Sequence, residues 1–290
     1  MKPAQRNNTC YRRHQRGMSI MELMVSVVIG LFVVSAVLVN YLGSGVTGRQ
    51  QGSLAQLSED AQLAFNLLAR DIQMAGYSDP TGTATVGTAT VATFGRLYSG
   101  NAVFGCERVF NDAAANAGSA TCATTGSTAT HALEVNYQAT SRNSILSSSN
   151  VPTDCLGNEL TISGSYYVAS NRYYITATTA TSRPELHCVS PGRSAQPLIE
   201  NVESMVFWYG EADSVDPRRA VRYVKAGSVV DWGRVVSVRI CLLMRSAAPV
   251  LSSDDYLSYT DCEGTTQTSA DKRLYRAFYS TVTLRNKAGY

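Results

Sequence analysis

Cysteine is the residue type whose number and spacing carry the most chemistry in this sequence. If Cys10, which lies in a basic stretch at the amino terminus, is set aside, an even number remains. Paired cysteines fit an oxidising compartment such as the bacterial periplasm. The sequence has no C-x-x-C pair, so zinc binding and thioredoxin-type chemistry have little support. Several connectivities are possible, and we favour nearest neighbours because each pair would close a local loop: Cys106–Cys122, Cys155–Cys188 and Cys241–Cys262.

The histidines and clustered acids do not form a recognisable catalytic or metal site. His131 and His187 lie outside any H-E-x-x-H pattern, and there is neither a G-x-S-x-G motif nor a GK[ST] phosphate loop. Asp254, Asp255 and Asp261 could offer oxygen ligands to calcium, but their spacing is not that of an EF-hand. An acidic surface loop is the simpler interpretation. We therefore predict a non-enzymatic protein with no catalytic residue, no metal site and no cofactor.

The positive charge of the chain is concentrated at its beginning. The formal net charge is +3, but the first 17 residues contain five basic residues and no acidic one. Without them, 20 basic residues face 22 acidic ones. The rest of the chain therefore offers no electrostatic reason to expect nucleic-acid binding.

A charge-free apolar stretch, Leu23 to Val39, follows this basic segment. As a helix it would span about 26 Å at about 1.5 Å per residue, slightly less than a hydrocarbon core of about 30 Å. Extension to Met18 and Leu42 makes it long enough but includes Glu22, and a carboxylate at the bilayer centre costs about 2.5–3.5 kcal/mol. A secretory signal peptide or a plain membrane anchor would share the basic and apolar regions. However, no A-x-A cleavage pattern follows the apolar run.

Cleavage between Gly17 and Met18 would give Glu22 a partner. Glu22 would then be the fifth residue, one helical turn from a new amino terminus. In a bundle of staggered helices, that ammonium group can pair with the carboxylate of a neighbouring subunit. The pair would offset the desolvation of Glu22 and would set the axial register between subunits.

The string from Arg16 to Val25, RGMSIMELMV, resembles the prepilin peptidase site of type IV pilins and type II secretion pseudopilins. The resemblance implies cleavage after Gly17, N-methylation of Met18 and a register role for Glu22. Two features depart from the usual pattern, since position 18 is commonly phenylalanine and the leader is often shorter. Basic residues, a glycine, a hydrophobic residue, a glutamate at plus five and an apolar run together form a specific signal.

The helix is predicted to continue beyond the apolar stretch, over residues 43–76. Glycines make residues 43–52 its weakest part, which could melt or kink when a filament assembles. An apolar stripe then follows helical spacing, with the charged residues Glu59, Asp60, Arg70 and Asp71 placed on other faces. Gly76 is predicted to end the helix at a C-cap position. The stripe consists of Leu54, Leu57, Ala61, Ala64, Leu68 and Ala75, flanked by Leu67 and Ile72.

The remainder, residues 77–290, carries the alternation of an antiparallel β-rich head. Long strands are predicted around Leu133–Tyr137, Val236–Met244 and Phe278–Leu284, and another around Val221 and Tyr223. The strings 166–168 and 173–175 flank Ser170-Asn171, which predicts a hairpin. Residues 81–93 and 111–130 are rich in small and polar residues and predict surface loops. The expected fold class is α+β, in which a long amino-terminal helix with a hydrophobic first half packs on one β-rich head, which could have two lobes.

A resemblance to the PilW group of minor pilins and the related J-type minor pseudopilins lies in three strings, 70–77, 236–246 and 283–286. The resemblance implies four segments: a leader over 1–17 that is removed, a transmembrane and filament-core helix over 18–42, its amphipathic continuation over 43–76 and the head over 77–290. It also implies a single-pass inner-membrane protein with a periplasmic head, which later enters an extracellular filament.

The expected function is a minor subunit that primes pilus assembly or forms its tip complex. The expected partners are prepilin peptidase, other minor pilins, the major pilin and a tip adhesin. Three alternatives remain open. They are a type II secretion pseudopilin, a membrane-tethered periplasmic enzyme and a secreted binding protein with an ordinary signal peptide.

Overall fold

The computed structural model describes residues 17–86, 88–128, 130–178, 183–251 and 257–287. Most of the predicted leader, together with Asp254 and Asp255, therefore lies outside the described residues. One helix, α1, spans Ile20–Met74, and strands follow it. The strands are β1 Pro80–Val86, β2 Ala89–Arg96, β3 Val103–Cys106, β4 Ala132–Ala139, β5 Ile162–Ser163, β6 Tyr166–Thr178, β7 Arg183–Val189, β8 Gln196–Glu200, β9 Val202–Ala212, β10 Ala220–Val224, β11 Val235–Arg245, β12 Ser258–Thr260, β13 Thr266–Thr268 and β14 Tyr275–Thr283.

The chain divides into two compact units, the first ending at Arg49 and the second beginning at Gln50. Helix α1 contains residues of both units, and the glycine-rich residues 43–52 are helical. The amino-terminal unit is helical from Ile20 onward. The carboxy-terminal unit contains the end of α1 and the strands of the head.

Within the second unit, α1 buries the predicted apolar stripe in the head. The shared core contains Leu57, Ala61, Ala64, Leu68, Ile72 and Ala75, each at most 2% exposed. Leu54, which was predicted to begin the stripe, is 37% exposed. The prediction that Asp71 lies on another face of the helix is wrong. Asp71 is only 8% exposed, because polar groups of the head form hydrogen bonds with its carboxylate.

The head contains two larger antiparallel sheets. The first has the order β3-β4-β6-β7-β8, with β5 also paired to β6. The second has the order β10-β9-β11-β14. Residues of both sheets join those of α1 in one hydrophobic core. The predicted strands at 236–244 and 221–223 are present, and the last predicted strand ends at Thr283, one residue before Leu284.

The predicted hairpin at Ser170-Asn171 is wrong. These residues lie in the middle of the single 13-residue strand β6, where they pair with Asn136 and Val135 of β4. Asn171 is fully buried, and its side chain bonds to Asp71 and to the backbone of Cys155. Polar residues that resemble a turn in sequence are thus tolerated inside a strand because distant groups satisfy their hydrogen bonds.

The predicted loop over residues 81–93 is also wrong. This segment forms most of the β1–β2 hairpin, in which Val86 pairs with Ala89. Small residues suggested a loop, but the segment also contains several threonines and valines, whose β-branched side chains favour strands. Residues 111–128 agree better with the predicted loop, because they are turns, bends and isolated bridge residues in the described part of the chain.

Candidate assembly and processing site

The predicted cleavage site lies directly ahead of α1. Gly17, Met18 and Ser19 have no regular secondary structure, and Met18 is 65% exposed. The helix begins at Ile20, and the carbonyl of Ser19 accepts a hydrogen bond from the Leu23 amide (3.1 Å). The Gly17–Met18 peptide bond is therefore in non-helical, exposed backbone, the form of chain that a peptidase can bind.

Glu22 is in the first turn of α1 and is exposed. A carboxylate there interacts favourably with the positive end of the helix dipole. Its position leaves the side chain open to a group from outside the subunit. Gly17, Met18 and Glu22 therefore lie within six residues of one another, around the start of α1.

The segment Ile20–Tyr41 is long and apolar enough to cross a membrane. It has 22 residues and a mean hydropathy of 2.6, and none of it is buried within the protein. Three of its polar side chains bond to the helix itself: Ser26, Ser35 and Asn40 donate to the carbonyls of the residues four positions earlier (2.7–2.9 Å). This arrangement is compatible with lipid, where backbone and side-chain polar groups need internal partners.

Three disulfides lie in the head. They join Cys106 to Cys122, Cys155 to Cys188 and Cys241 to Cys262, which are the nearest-neighbour pairs favoured from the sequence. Each connects a strand to a loop: β3 to the loop before β4, β7 to the loop before β5, and β11 to the turn between β12 and β13. They therefore hold loops to the sheets.

The two histidines of the head occupy separate structural positions. His131 is buried, and its Nδ1 accepts a hydrogen bond from the Phe207 amide (3.1 Å). Burial lowers its pKa, with a smaller contribution in the same direction from Lys225. His187 Nε2 lies 3.1 Å from Glu185 of the same strand. In the described residues no cluster of three or more His, Cys, Asp or Glu side chains could hold a metal ion.

Asp261, the described member of the candidate calcium ligands, stabilises a turn. Its Oδ1 accepts hydrogen bonds from the amides of Glu263 and Thr265 (both 2.9 Å). Its Oδ2 accepts a third from the Gln267 side chain (3.2 Å). These contacts are those of an Asx-type turn, which agrees with the predicted surface loop.

A buried polar cluster that the sequence pattern missed attaches α1 to the head. Asn171 Nδ2 and the Tyr173 hydroxyl both donate to Asp71 Oδ2, at 2.5 and 2.7 Å. Burial raises the pKa of Asp71, although these two hydrogen bonds and Arg70 oppose the shift. The partners are about 100 positions apart in sequence, so no local pattern could have revealed the cluster.

A second buried cluster lies on the opposite face of β6. Arg172 is fully buried, and its Nε and Nη2 donate to Glu134 Oε1 of β4 (3.1 and 2.9 Å). The guanidinium also donates to the carbonyls of Ala113, Ala115 and Asn116 in the loop closed by Cys106–Cys122. The pair is thus hydrogen-bonded on several sides, as a buried ion pair requires.

The last strand leads into a segment that caps α1. Asn286 Nδ2 donates to the carbonyls of Gln73 and Met74 (3.1 and 3.2 Å), which have no amide partner within the helix. Gly76 follows with a φ of +71°, and its amide donates to Asn136 of β4 (2.8 Å). The end of α1 is therefore fixed by both a middle and a terminal part of the head.

Two family models and a solved structure are similar to parts of this chain. The family model described as Type IV Pilus-assembly protein W matches residues 172–286, and the Prokaryotic N-terminal methylation motif matches residues 12–38. A solved structure of a type IV-like pilin, TTHA1219 from Thermus thermophilus, aligns with 80% of this chain and 98% of its own at 15% identity and a TM-score of 0.35. No curated protein matches the sequence significantly.

A methylation motif at the start of an exposed apolar helix, followed by an antiparallel β-rich head, is the arrangement found in type IV pilin-like proteins. Within the head, residues 172–286 match the PilW family model, which covers less than half of the chain. The apolar helix and the methylation motif indicate membrane anchoring. The class also indicates prepilin processing and contacts with other pilus components.

Proposed function

We propose that this chain is a minor subunit of a type IV pilus, which primes filament assembly or forms part of the tip complex. The observation that carries the proposal is the combination of a methylation motif with a PilW domain in one chain. In this proposal the role is structural rather than enzymatic. The partners are other minor pilins, the major pilin and a tip adhesin.

Processing is the first step of the proposed pathway. Prepilin peptidase removes residues 1–17, and Met18 becomes the methylated amino terminus. Two observations support this order: the exposed, non-helical backbone at Gly17–Met18 and the apolar helix that begins two residues later. Before assembly the helix lies in the inner membrane, and the head lies in the periplasm.

Assembly then transfers the apolar helix from lipid to a bundle of neighbouring helices. The exposed side chains of Ile20–Tyr41 bury nothing within their own subunit, so a filament core would supply the apolar contacts that the chain lacks. Glu22 pairs with the amino terminus of an adjacent subunit and sets the register. The head, residues 77–290, is large for close helical stacking, which favours a low copy number at the tip.

The experiment that tests processing is intact-mass and amino-terminal sequencing of the protein extracted from its native membrane. We expect a chain that begins at Met18 and carries one added methyl group. A chain that begins beyond Leu42, or that retains residues 1–17, would contradict the proposal. A chain that begins beyond Leu42 would support a secreted protein with an ordinary signal peptide.

A gene deletion separates pilus assembly from type II secretion, which uses related subunits. We expect loss of surface pili and of twitching motility, both restored by the intact gene on a plasmid. Loss of protein export with pili intact would favour a pseudopilin. If neither defect appears and the purified protein turns over a substrate, a tethered enzyme would be favoured.

A further inference from the structure

A cavity of about 700 Å³ lies on the six-stranded sheet, on the face turned away from α1. Successive residues of a strand point to opposite faces. Asn171 and Tyr173 contact α1 through Asp71, whereas Ser170 and Val168 of the same strand line the cavity. The volume falls within the range of roughly 300–1,000 Å³ that is typical of small-molecule sites.

The floor of this cavity contains a buried hydroxyl group that has no partner in the described part of the chain. Asn136 and Ser170 are opposite each other in the β4–β6 register and are 5% and 2% exposed. Ser170 Oγ makes no hydrogen bond to any residue that the structure describes. The amide side chain of Asn136 belongs to the same part of the cavity lining. A buried hydroxyl group without a hydrogen-bond partner is unfavourable, so a ligand that supplied the missing bond would be favoured.

Aromatic side chains form part of the cavity wall. Tyr98, Tyr166 and Trp232 line it, each only partly buried. Trp232 is held in place by Phe104 and by an edge contact with Tyr209, with ring centroids 5.2 and 4.8 Å away. The wall therefore presents apolar ring surfaces in fixed positions, and its tyrosine and tryptophan rings also carry polar atoms.

Charged residues in the cavity lining are already engaged. Glu134 forms the ion pair with Arg172, and Asp154 Oδ1 accepts hydrogen bonds from the amides of Leu156 and Asn158 (2.8 and 2.9 Å). Arg193 and Glu159, both exposed, are of opposite sign. With Arg172 included, the charged residues at the cavity sum to one negative charge, which disfavours anionic ligands, while Asn136 and Ser170 add a neutral amide and a neutral hydroxyl.

We propose that this cavity binds a neutral saccharide. A sugar ring has a C–H face that packs on Trp232 or a tyrosine, and hydroxyl groups at its edge that donate to and accept from Asn136 and Ser170. A ligand needs both the apolar face and the hydroxyl groups to contact the aromatic wall and the neutral polar floor at the same time. This binding activity does not depend on the role of the chain in a filament.

The test uses the full chain in dodecylphosphocholine micelles, because a detergent with a sugar head group would compete. Cellobiose, maltose, lactose and N,N′-diacetylchitobiose are presented separately at millimolar concentration. Saturation-transfer difference NMR is expected to show transfer from the protein to ring protons of at least one of them. No transfer to any of the four would overturn the proposal.

Substitutions then assign the binding to this cavity. The double variant Asn136→Ala/Ser170→Ala is expected to weaken binding of the responsive sugar by about tenfold or more, since it removes the floor's hydrogen bonds. Ser214→Ala, an exposed serine outside the cavity lining, is the matched control and should leave the affinity unchanged. Binding that is unaffected by the double variant would overturn the proposal.

A second variant covers the case in which the double variant does not fold. Ser170→Thr keeps a hydroxyl and suits a β-strand, but it adds a methyl group to the cavity floor. We expect it to keep the thermal unfolding midpoint of the unsubstituted protein and to weaken sugar binding severalfold. Unchanged affinity in this variant would count against the cavity as the site.

Discussion

Two carboxylates of α1, those of Asp71 and Glu22, are in opposite environments. Asp71, on α1, is buried beneath the head and shares one oxygen between Asn171 and Tyr173. Glu22, on the same helix, is exposed in the first turn and has no role within its own subunit in the proposed assembly. One carboxylate therefore stabilises the subunit, and the other is available to a neighbour.

The register role of Glu22 predicts a defect in assembly without a defect in folding. In Glu22→Gln, the neighbouring amino terminus would lose its charged partner, and we expect severalfold less of this subunit in sheared pili. Immunoblotting of the sheared fraction measures the amount. Glu59→Gln, which neutralises an exposed acid of the same helix beyond the apolar segment, is the control and should assemble normally.

The buried carboxylate of Asp71 predicts a pH dependence of stability. Burial raises its pKa above the ordinary value of 3.8, so the folded state binds the proton more readily than the unfolded state. Its contribution to stability is therefore largest at low pH and falls as the pH rises from the unfolded pKa through the folded pKa. We expect the unfolding free energy of the unsubstituted protein, minus that of Asp71→Asn, to decrease between pH 4 and pH 7.

Urea unfolding of both proteins in the same detergent, at several pH values, measures this difference. A difference that does not change with pH would mean that Asp71 has the same pKa in the folded and unfolded states. A difference that increases with pH would mean that its two hydrogen bonds outweigh its burial.

At the scale of elements, α1 has two different ends. It begins with the exposed apolar segment Ile20–Tyr41, whereas its last turn is closed by Gly76, Asn286 and the backbone of β4. The sequence predicted the C-cap at Gly76 because glycine adopts positive φ without a steric penalty. The part played by Asn286 depends on the return of the chain after β14, which no local pattern encodes.

Substitution of Gly76 tests this C-cap. Alanine at a φ of +71° is strained, and its Cβ would lie 2.9 Å from the Cβ of Ala102. We expect Gly76→Ala to lower the free energy of unfolding by about 1–2 kcal/mol or more. Gly52→Ala is the matched control: it is helical and exposed with open space around the added carbon, so it should be neutral or stabilising by up to about 1 kcal/mol.

Urea unfolding of the two variants in the same detergent provides the comparison. Equal effects of the two substitutions would contradict a special role for position 76. Greater destabilisation from Gly52→Ala would indicate that the glycine-rich part of α1 needs its flexibility within the isolated subunit.

At the scale of the whole molecule, disulfides fasten loops to two sheets that share one core with α1. The loop between Cys155 and Cys188 has a sequence separation of 33, the largest of the three. Closure of a loop of this length restricts the unfolded chain and contributes about 3–4 kcal/mol in the chain-entropy model. The stability of the head should therefore depend on an oxidising environment.

Removal of this disulfide measures its contribution. We expect Cys155→Ala/Cys188→Ala to lower the free energy of unfolding by about 2–4 kcal/mol. Cys10→Ala is the control, because Cys10 belongs to the proposed leader and should not affect the stability of the head. A loss below about 0.5 kcal/mol in the double variant would show that the loop is held without its covalent link.

The sequence predicted the features of this molecule that depend on local pattern. Alternation identified β11, helical spacing identified the stripe from Leu57 to Ala75, and loop closure favoured the three cysteine pairs that the structure contains. The apolar segment and the string around Gly17 indicated the class of protein. Each of these signals lies within a few dozen residues.

The errors at Asp71 and at Ser170-Asn171 share one cause, which is that burial of polar residues depends on distant partners, whereas residues 81–93 were misjudged from their small side chains. Ser170-Asn171 looked like a turn because its partners, Asn136 and Asp71, are far away in sequence. Glu134, in the predicted strand Leu133–Tyr137, is buried because Arg172 and the 113–116 loop cover it. The cavity was missed for the same reason, because its floor and walls come from several separate segments.

The loop closed by Cys106–Cys122 forms part of the cavity rim but contributes no strand to the sheet. The disulfide and the hydrogen bonds from Arg172 to the backbone carbonyls of Ala113, Ala115 and Asn116 hold this loop, while Asn116 and Ala120 also line the cavity without joining the strand ladder. Substitutions or small insertions near Asn116 could therefore alter which molecules enter while the strands keep their register. In evolutionary terms, such a loop would let the preference for the proposed ligand change without a change in the fold that supports it.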